Sequence, residues 1–130
     1  MKYVILIHSN PQPWGHPTSD YLPEYQQQSA DERQAGNDAF DAMLTEMSER
    51  GEVLGGEALG DPASARLFRW RDGERVVTDG PYAEAKEHLA GFFLIDVADE
   101  ARALEVTKAF SGPGETVELR PLMWPGGDDQ

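Results

Sequence analysis

The chain has no cysteine in its 130 residues. That excludes a disulfide framework, a thiolate nucleophile and any Cys-based zinc site. Bases are scarce as well, with 11 Lys and Arg against 24 Asp and Glu, for a net charge of -13. An overall field of that sign repels phosphate backbones, so nucleic acid is not an expected partner; the same acidity favours solubility. Long apolar runs are missing too. No stretch approaches the ~20 apolar residues that span a bilayer, so no membrane association is expected. The first eight residues carry one Lys and a short apolar run, and Asn10-Pro11-Gln12-Pro13 supplies no small-residue cleavage site. Cytoplasm is therefore the expected compartment. The G-x-S-x-G elbow, the P-loop and the G-x-G-x-x-G dinucleotide turn are all absent, which disfavours phosphoryl transfer and nicotinamide chemistry. No cofactor is expected.

What is present describes a globular chain, 39% apolar against 27% charged. The length fits one compact domain, placed at residues 1–124, with a loose Gly- and Asp-rich tail at 125–130. Residues 3–7 form an unbroken β-prone run, expected to be a strand buried on both faces. A long Pro-rich loop follows at about 9–31, containing Trp14, Tyr21 and Tyr25. Those aromatics either dock the loop, form a lid or reach a partner subunit. Over residues 33–50, Phe40, Met43, Leu44 and Met47 make one helical stripe, and Gly51 reads as its C-terminal stop. Residues 53–59 read as a Gly-broken strand.

Alternation over residues 66–71, the Asp72-Gly73 pair and the return at 75–78 predict a hairpin. Residues 91–97 repeat the two-sided apolar pattern. Asp99 is the predicted N-cap of a helix to about Phe110, with Leu104, Thr107 and Phe110 toward the core. Residues 115–122 alternate as a last strand. The order is β-α-β, an inserted hairpin, then β-α-β. Without the hairpin this is the ferredoxin-like split βαβ of an α+β domain, an antiparallel sheet with its first and third main strands central. Two helices cover one face of such a sheet, yet the central strands are apolar on both. A second copy packed sheet to sheet is the simplest cover; the hairpin folding over its own sheet is the competing one.

Residues 76–97, V-V-T-D-G-P-Y-A-E-A-K-E-H-L-A-G-F-F-L-I-D-V, strongly resemble the signature of the YCII-related DGPF family. The opening Lys2-Tyr3 strand, Gly55-Gly56-Glu57-Ala58-Leu59 and the closing Val117-Glu118-Leu119-Arg120-Pro121 match as well. Tyr82 stands where phenylalanine is usual, and the loop at 9–31 is longer than is typical. The resemblance implies a dimeric α/β barrel of ferredoxin-like subunits. Most such proteins have no assigned activity, and some occur beside sigma factors of the extracytoplasmic-function type. In the broader group a dehydrochlorinase acts on a chlorinated hydroquinone, and a His–Asp pair has been proposed as catalytic.

Candidate chemistry gathers at a few positions. Asp79-Gly80-Pro81 is first a turn; in the functional reading Asp79 is a general base or ligand acceptor, paired with His8 for proton transfer. Glu84, Lys86 and Glu87 form a solvated charged turn, or Lys86 holds an anionic ligand. His8 shares a strand face with Val4 and Leu6. Glu57 and Arg120 are expected to point into the barrel, each matching the other's charge or holding a ligand carboxylate. Gly80, Pro81 and Tyr82 complete the candidate ligand-binding set. His8, His16 and His88 lack metal spacing such as H-x-x-x-H, so no metal is expected. Two functions follow from this: a small-molecule-binding or regulatory homodimer, its acidic surface open to a protein partner, or a cofactor-independent enzyme of isomerase or lyase type acting on a small aromatic or carboxylated substrate.

Overall fold

The computed structural model describes residues 1–81 and 86–123. In chain order these form β1 (Lys2–Ser9), α1 (Pro23–Gln26), α2 (Ala30–Glu49), β2 (Val53–Ala58), β3 (Arg66–Arg71), β4 (Glu74–Asp79), β5 (His88–Asp96), α3 (Glu100–Phe110) and β6 (Thr116–Pro121). Short 3-10 turns lie at Thr18–Tyr21 and Pro62–Ser64. The main sheet is antiparallel in the order β2-β5-β1-β6, and β3 and β4 pair as a separate hairpin. This is a ferredoxin-like α+β arrangement with an inserted hairpin. The two strands that are apolar on both faces, β1 and β5, are the central ones, as their composition predicted.

Strand alternation divides the sheet cleanly. Tyr3, Ile5, Phe93 and Ile95 join Met47 of α2 and Ala103, Val106 and Phe110 of α3 in the core. Phe110 sits between the rings of Phe40 and Phe93, with centroids 5.2 and 4.8 Å away. Each fully buried side chain here, such as Ile5 or Ile95, is worth about 1.5–3 kcal/mol. The expected core position of Leu104 is corrected: it is half exposed. The helix buries Ala103, Val106 and Phe110 instead, a spacing of three and four residues in which the small Ala103 lets the helix approach the sheet.

Helix α2 begins earlier than its apolar stripe. Ser29 accepts from the Glu32 backbone N–H while the Glu32 carboxylate accepts from the Ser29 N–H, at 3.1 and 3.0 Å. This capping box satisfies two of the helix's orphan donors. At the other end Gly51 adopts φ 72°. The Glu52 N–H donates to the Met47 carbonyl at 2.8 Å and the Gly51 N–H to that of Ser48 at 3.1 Å, a Schellman closure. In the hairpin, Asp72 and Gly73 both have positive φ, as a two-residue turn matched to strand twist requires.

The segment at 9–31 is anchored to the body. Pro11 and Leu22 are buried, the Gln12 N–H donates to the Tyr21 carbonyl, and the Trp14 indole donates to the Leu59 carbonyl at 3.0 Å. Tyr25 lies under the guanidinium of Arg33 and meets Asn37 through its hydroxyl. These contacts dock the loop's aromatics. The tail at 125–130 lies outside the described residues.

The turn after α2 delivers Glu52 to the helix–helix junction. Arg102 of α3 grips it with two bonds, Nε to Oε2 at 3.0 Å and Nη2 to Oε1 at 2.8 Å. The same guanidinium reaches Glu105 at 2.6 Å and Glu46 at 3.3 Å. Side-chain exposure is only 12% for Arg102 and 9% for Glu52, so the pair is largely desolvated. Hydrogen bonding from Arg102 holds the Glu52 carboxyl below its ordinary range, against desolvation, and raises the Arg102 pKa in return.

Arg102→Ala is expected to cost about 3–5 kcal/mol, because it strands a buried carboxylate. Replacing Glu52 and Arg102 together by apolar residues of similar size should recover most of that loss in urea denaturation. Because the folded-state pKa of Glu52 is depressed, its contribution is complete above the unfolded carboxylate range. It is lost as pH falls through the folded value. Urea midpoints should therefore fall less steeply in acid for Glu52→Gln than for the wild type.

Candidate functional site

Both long helices pack on the Tyr3–Ile5 side of the sheet. The other face is built from the alternate residues. Across it, Arg120, Val4, Leu94 and Gly55 form one register row, and Glu118, Leu6, Phe92 and Glu57 form the next. Its centre is apolar and half-buried, and its charges stand on the edge strands. His8 follows in β1 beside Thr116 of β6 and Leu89 of β5, just past a register shift at Ile7/His8. The face that holds His8 is therefore the one turned away from the helices.

Here the structure brings together three polar side chains. His8 Nε2 lies 3.1 Å from Glu118 Oε1, and Arg120 Nε lies 3.5 Å from Glu118 Oε2. One carboxylate thus bridges an imidazole and a guanidinium. With Nε2 protonated, the imidazole donates to Glu118. Side-chain exposure is 30% for His8 and 43% for Glu118, so the group is accessible while resting on the apolar floor of Leu6 and Phe92. Such a chain can accept an anion at Arg120 and exchange a proton at His8.

The other sequence candidates are placed differently. Asp79 ends β4, its side chain is 84% exposed, and its ion-pair partner is Arg66 Nε at 3.4 Å across the hairpin. Among the described residues it makes no hydrogen bond with His8. Glu57 and Arg120 stand on opposite edge strands, three strand spacings or about 14 Å apart, and Arg120 pairs with Glu118. Lys86 is exposed in a bend before β5. Tyr82 and Glu84 lie outside the described residues. Gly80 donates its N–H to the Ala65 carbonyl, and a Cβ placed on it would come within 2.9 Å of Ala65 Cβ. The glycine is needed for the close approach that shuts the base of the hairpin.

Pro81 lines an apolar recess of about 280 Å³ with Leu59, Ala65, Leu67, His88 and Leu89. Because Leu89 is the register partner of His8, the recess borders the polar strip. Glu118 is the residue that sequence reasoning passed over. Its signal was present, since it lies two residues before Arg120 on the same strand face. What made it a partner of His8 is the β1–β6 register. Among the described residues, no three His, Asp or Glu side chains converge as a metal site, and no helix is long and apolar enough to cross a membrane.

A family model described as the YCII-related domain matches residues 1–122. The chain belongs to the YCII-related family. An uncharacterised protein of Rhizobium meliloti (strain 1021) is 42% identical over 62 residues, which is 45% of this chain and 50% of that protein. The match thus spans about half the length of this curated relative.

At the hairpin base the contacts separate two roles. Asp79→Asn should change stability by no more than about 1 kcal/mol, as for an exposed ion pair. Gly80→Ala should cost about 1–3 kcal/mol through overpacking. Thermal unfolding, with amide hydrogen exchange across residues 66–79, distinguishes the two.

Proposed function

We propose that this YCII-related chain is a small-molecule-binding homodimer whose ligand is a small aromatic carboxylate held at the polar strip. The observation that carries the reading is Glu118 bridging His8 and Arg120 at the margin of a sheet face that the helices leave uncovered. The apolar floor of Leu6 and Phe92, in the register row next to Arg120, suits a ring, and Arg120 suits a carboxylate. A second copy packed on the open face would exclude water from Val4, Leu6, Phe92 and Leu94 and strengthen every polar contact at its edge. The 3.1 Å contact between His8 and Glu118 favours a second reading at the same place. There, His8 moves a proton on the bound molecule while Glu118 orients the ring, with no cofactor. In this reading the pair is His8–Glu118, and Asp79 serves the hairpin.

A thermal-shift series with benzoate, hydroxybenzoates and aliphatic carboxylates tests this, alongside light scattering. The wild type should scatter at twice its 14.4 kDa chain mass. Aromatic carboxylates at about a hundred times their dissociation constant should add about 2.7 kcal/mol of stability. Arg120→Gln should weaken that response, and Glu118→Gln should do so by releasing both of its neighbours. A folded protein that responds to none of these compounds overturns the ligand class, and a monomer overturns the covered face.

A further inference from the structure

The hairpin presents two unlike faces. Register pairs Arg66 with Asp79, Phe68 with Val77 and Trp70 with Arg75 on one of them, and Leu67 with Thr78 and Arg69 with Val76 on the other. Leu67 lines the recess against the body of the chain. Phe68, Trp70 and Val77 point the other way and are 66%, 67% and 52% exposed. Two aromatics and a valine side by side on an exposed β-ribbon mark an interaction surface rather than scattered surface apolarity. The Arg75 guanidinium lies 4.9 Å from the Trp70 ring centroid, which fixes a positive charge at the edge of the patch.

Charge says what the patch fits. Residues 66–79 hold four of the chain's 11 bases, Arg66, Arg69, Arg71 and Arg75, against Asp72, Glu74 and Asp79. The hairpin is thus net +1, and the rest of the chain carries -14 of the total -13. A cationic ribbon extending from so acidic a body is complementary to another copy of that body. The open sheet face offers a matching seat at its β2 edge. A Cβ at Gly55 would meet nothing within 4 Å, Leu54 beside it is 50% exposed, and Glu57 follows on the same edge strand. The seat is an open position without a side chain, with half-exposed Leu54 at the adjoining register shift and a carboxylate further along the strand.

We infer that the hairpin is a docking arm for a second copy of the chain, its Phe68–Trp70–Val77 surface seated over the open Gly55 position of the partner's β2 and Arg75 facing the partner's Glu57. The inference rests on the proposed homodimer and names the element that secures it. Aromatic anchors with an adjoining Arg are the residues that dominate interface energetics, and the charge pair sets register and orientation.

Dimer dissociation constants from sedimentation velocity test the arm, using wild type, Phe68→Ala/Trp70→Ala, Arg75→Glu, Glu57→Arg and the combined Arg75→Glu/Glu57→Arg. All four substituted positions are exposed, so circular dichroism should be unchanged. Each single reversal and the double alanine variant should weaken the dimer by about tenfold or more. The combined reversal should restore it to within about threefold of wild type. Dimers unaffected by every variant overturn the arm and leave the homodimer standing. Single reversals that weaken the dimer without rescue in combination overturn the Arg75–Glu57 pairing. A wild-type monomer overturns the arm and the homodimer together.

Discussion

The bidentate grip of Arg102 on Glu52 is the contact on which the arrangement of the domain depends. It joins the loop after α2 to the first turn of α3 and draws in Glu46 and Glu105, so both long helices are held at one junction. Desolvated pairs of this kind gain little net energy over an apolar substitute, yet they penalise every packing that separates them. Glu52 also accepts the Asp96 N–H through its backbone carbonyl, so the junction is tied to the end of β5. Through that tie the helices are fixed to one face of the sheet, and the opposite face is left to a different use.

The asymmetry that results sets the two faces of the sheet apart. On the helix side, alternation delivers Tyr3, Ile5 and Ile95 to a closed aromatic and aliphatic core. On the other side the same alternation delivers Val4, Leu6, Phe92 and Leu94, bordered by charges on the edge strands. An edge strand is where a charged residue costs least, because one flank remains hydrated. Glu118 and Arg120 on β6 and Glu57 on β2 follow that rule, while of the central strands β5 begins with His88 and β1 supplies His8. The register shift at Ile7/His8 comes immediately before this histidine, and irregular pairing of this kind is a common way to re-aim one side chain.

Much of this was legible in the sequence because it depends on local pattern. Two-sided apolarity marked β1 and β5 as central, Asp72-Gly73 announced the hairpin turn, Asp99 announced its helix, and Gly51 announced the end of α2. The capping box was legible too, since Ser29 and Glu32 have the required spacing, but the apolar stripe begins later and drew the helix start with it. Leu104 was misplaced for a related reason. A helix of eleven residues offers two adjacent apolar stripes, and the choice between them is made by what faces the helix, here a sheet close enough to prefer Ala103. The pairing of Asp79 with His8 could not be judged from order along the chain. Both are plausible acid–base groups, but Asp79 belongs to a separate hairpin and His8 to the centre of the main sheet. Glu118 becomes the histidine's partner only through a contact spanning more than a hundred residues.

The position of the hairpin gives these features a common geometry. It leaves the sheet between β2 and β5, and its base is shut by the Gly80 N–H bond to Ala65. The apolar recess forms where that base meets Leu59 and Leu89, so the ribbon's inner face borders the polar strip while its outer face is free to contact something else. A molecule bound in the recess would touch Leu67 of the hairpin as well as Leu89 of the sheet. Any shift of the ribbon on binding would be carried to Phe68 and Trp70, because neighbouring residues on a strand cannot move independently of their pairing. If those side chains meet a second copy and a ligand shifts them, ligand occupancy and dimer affinity are coupled, and by linkage the coupling acts equally in both directions.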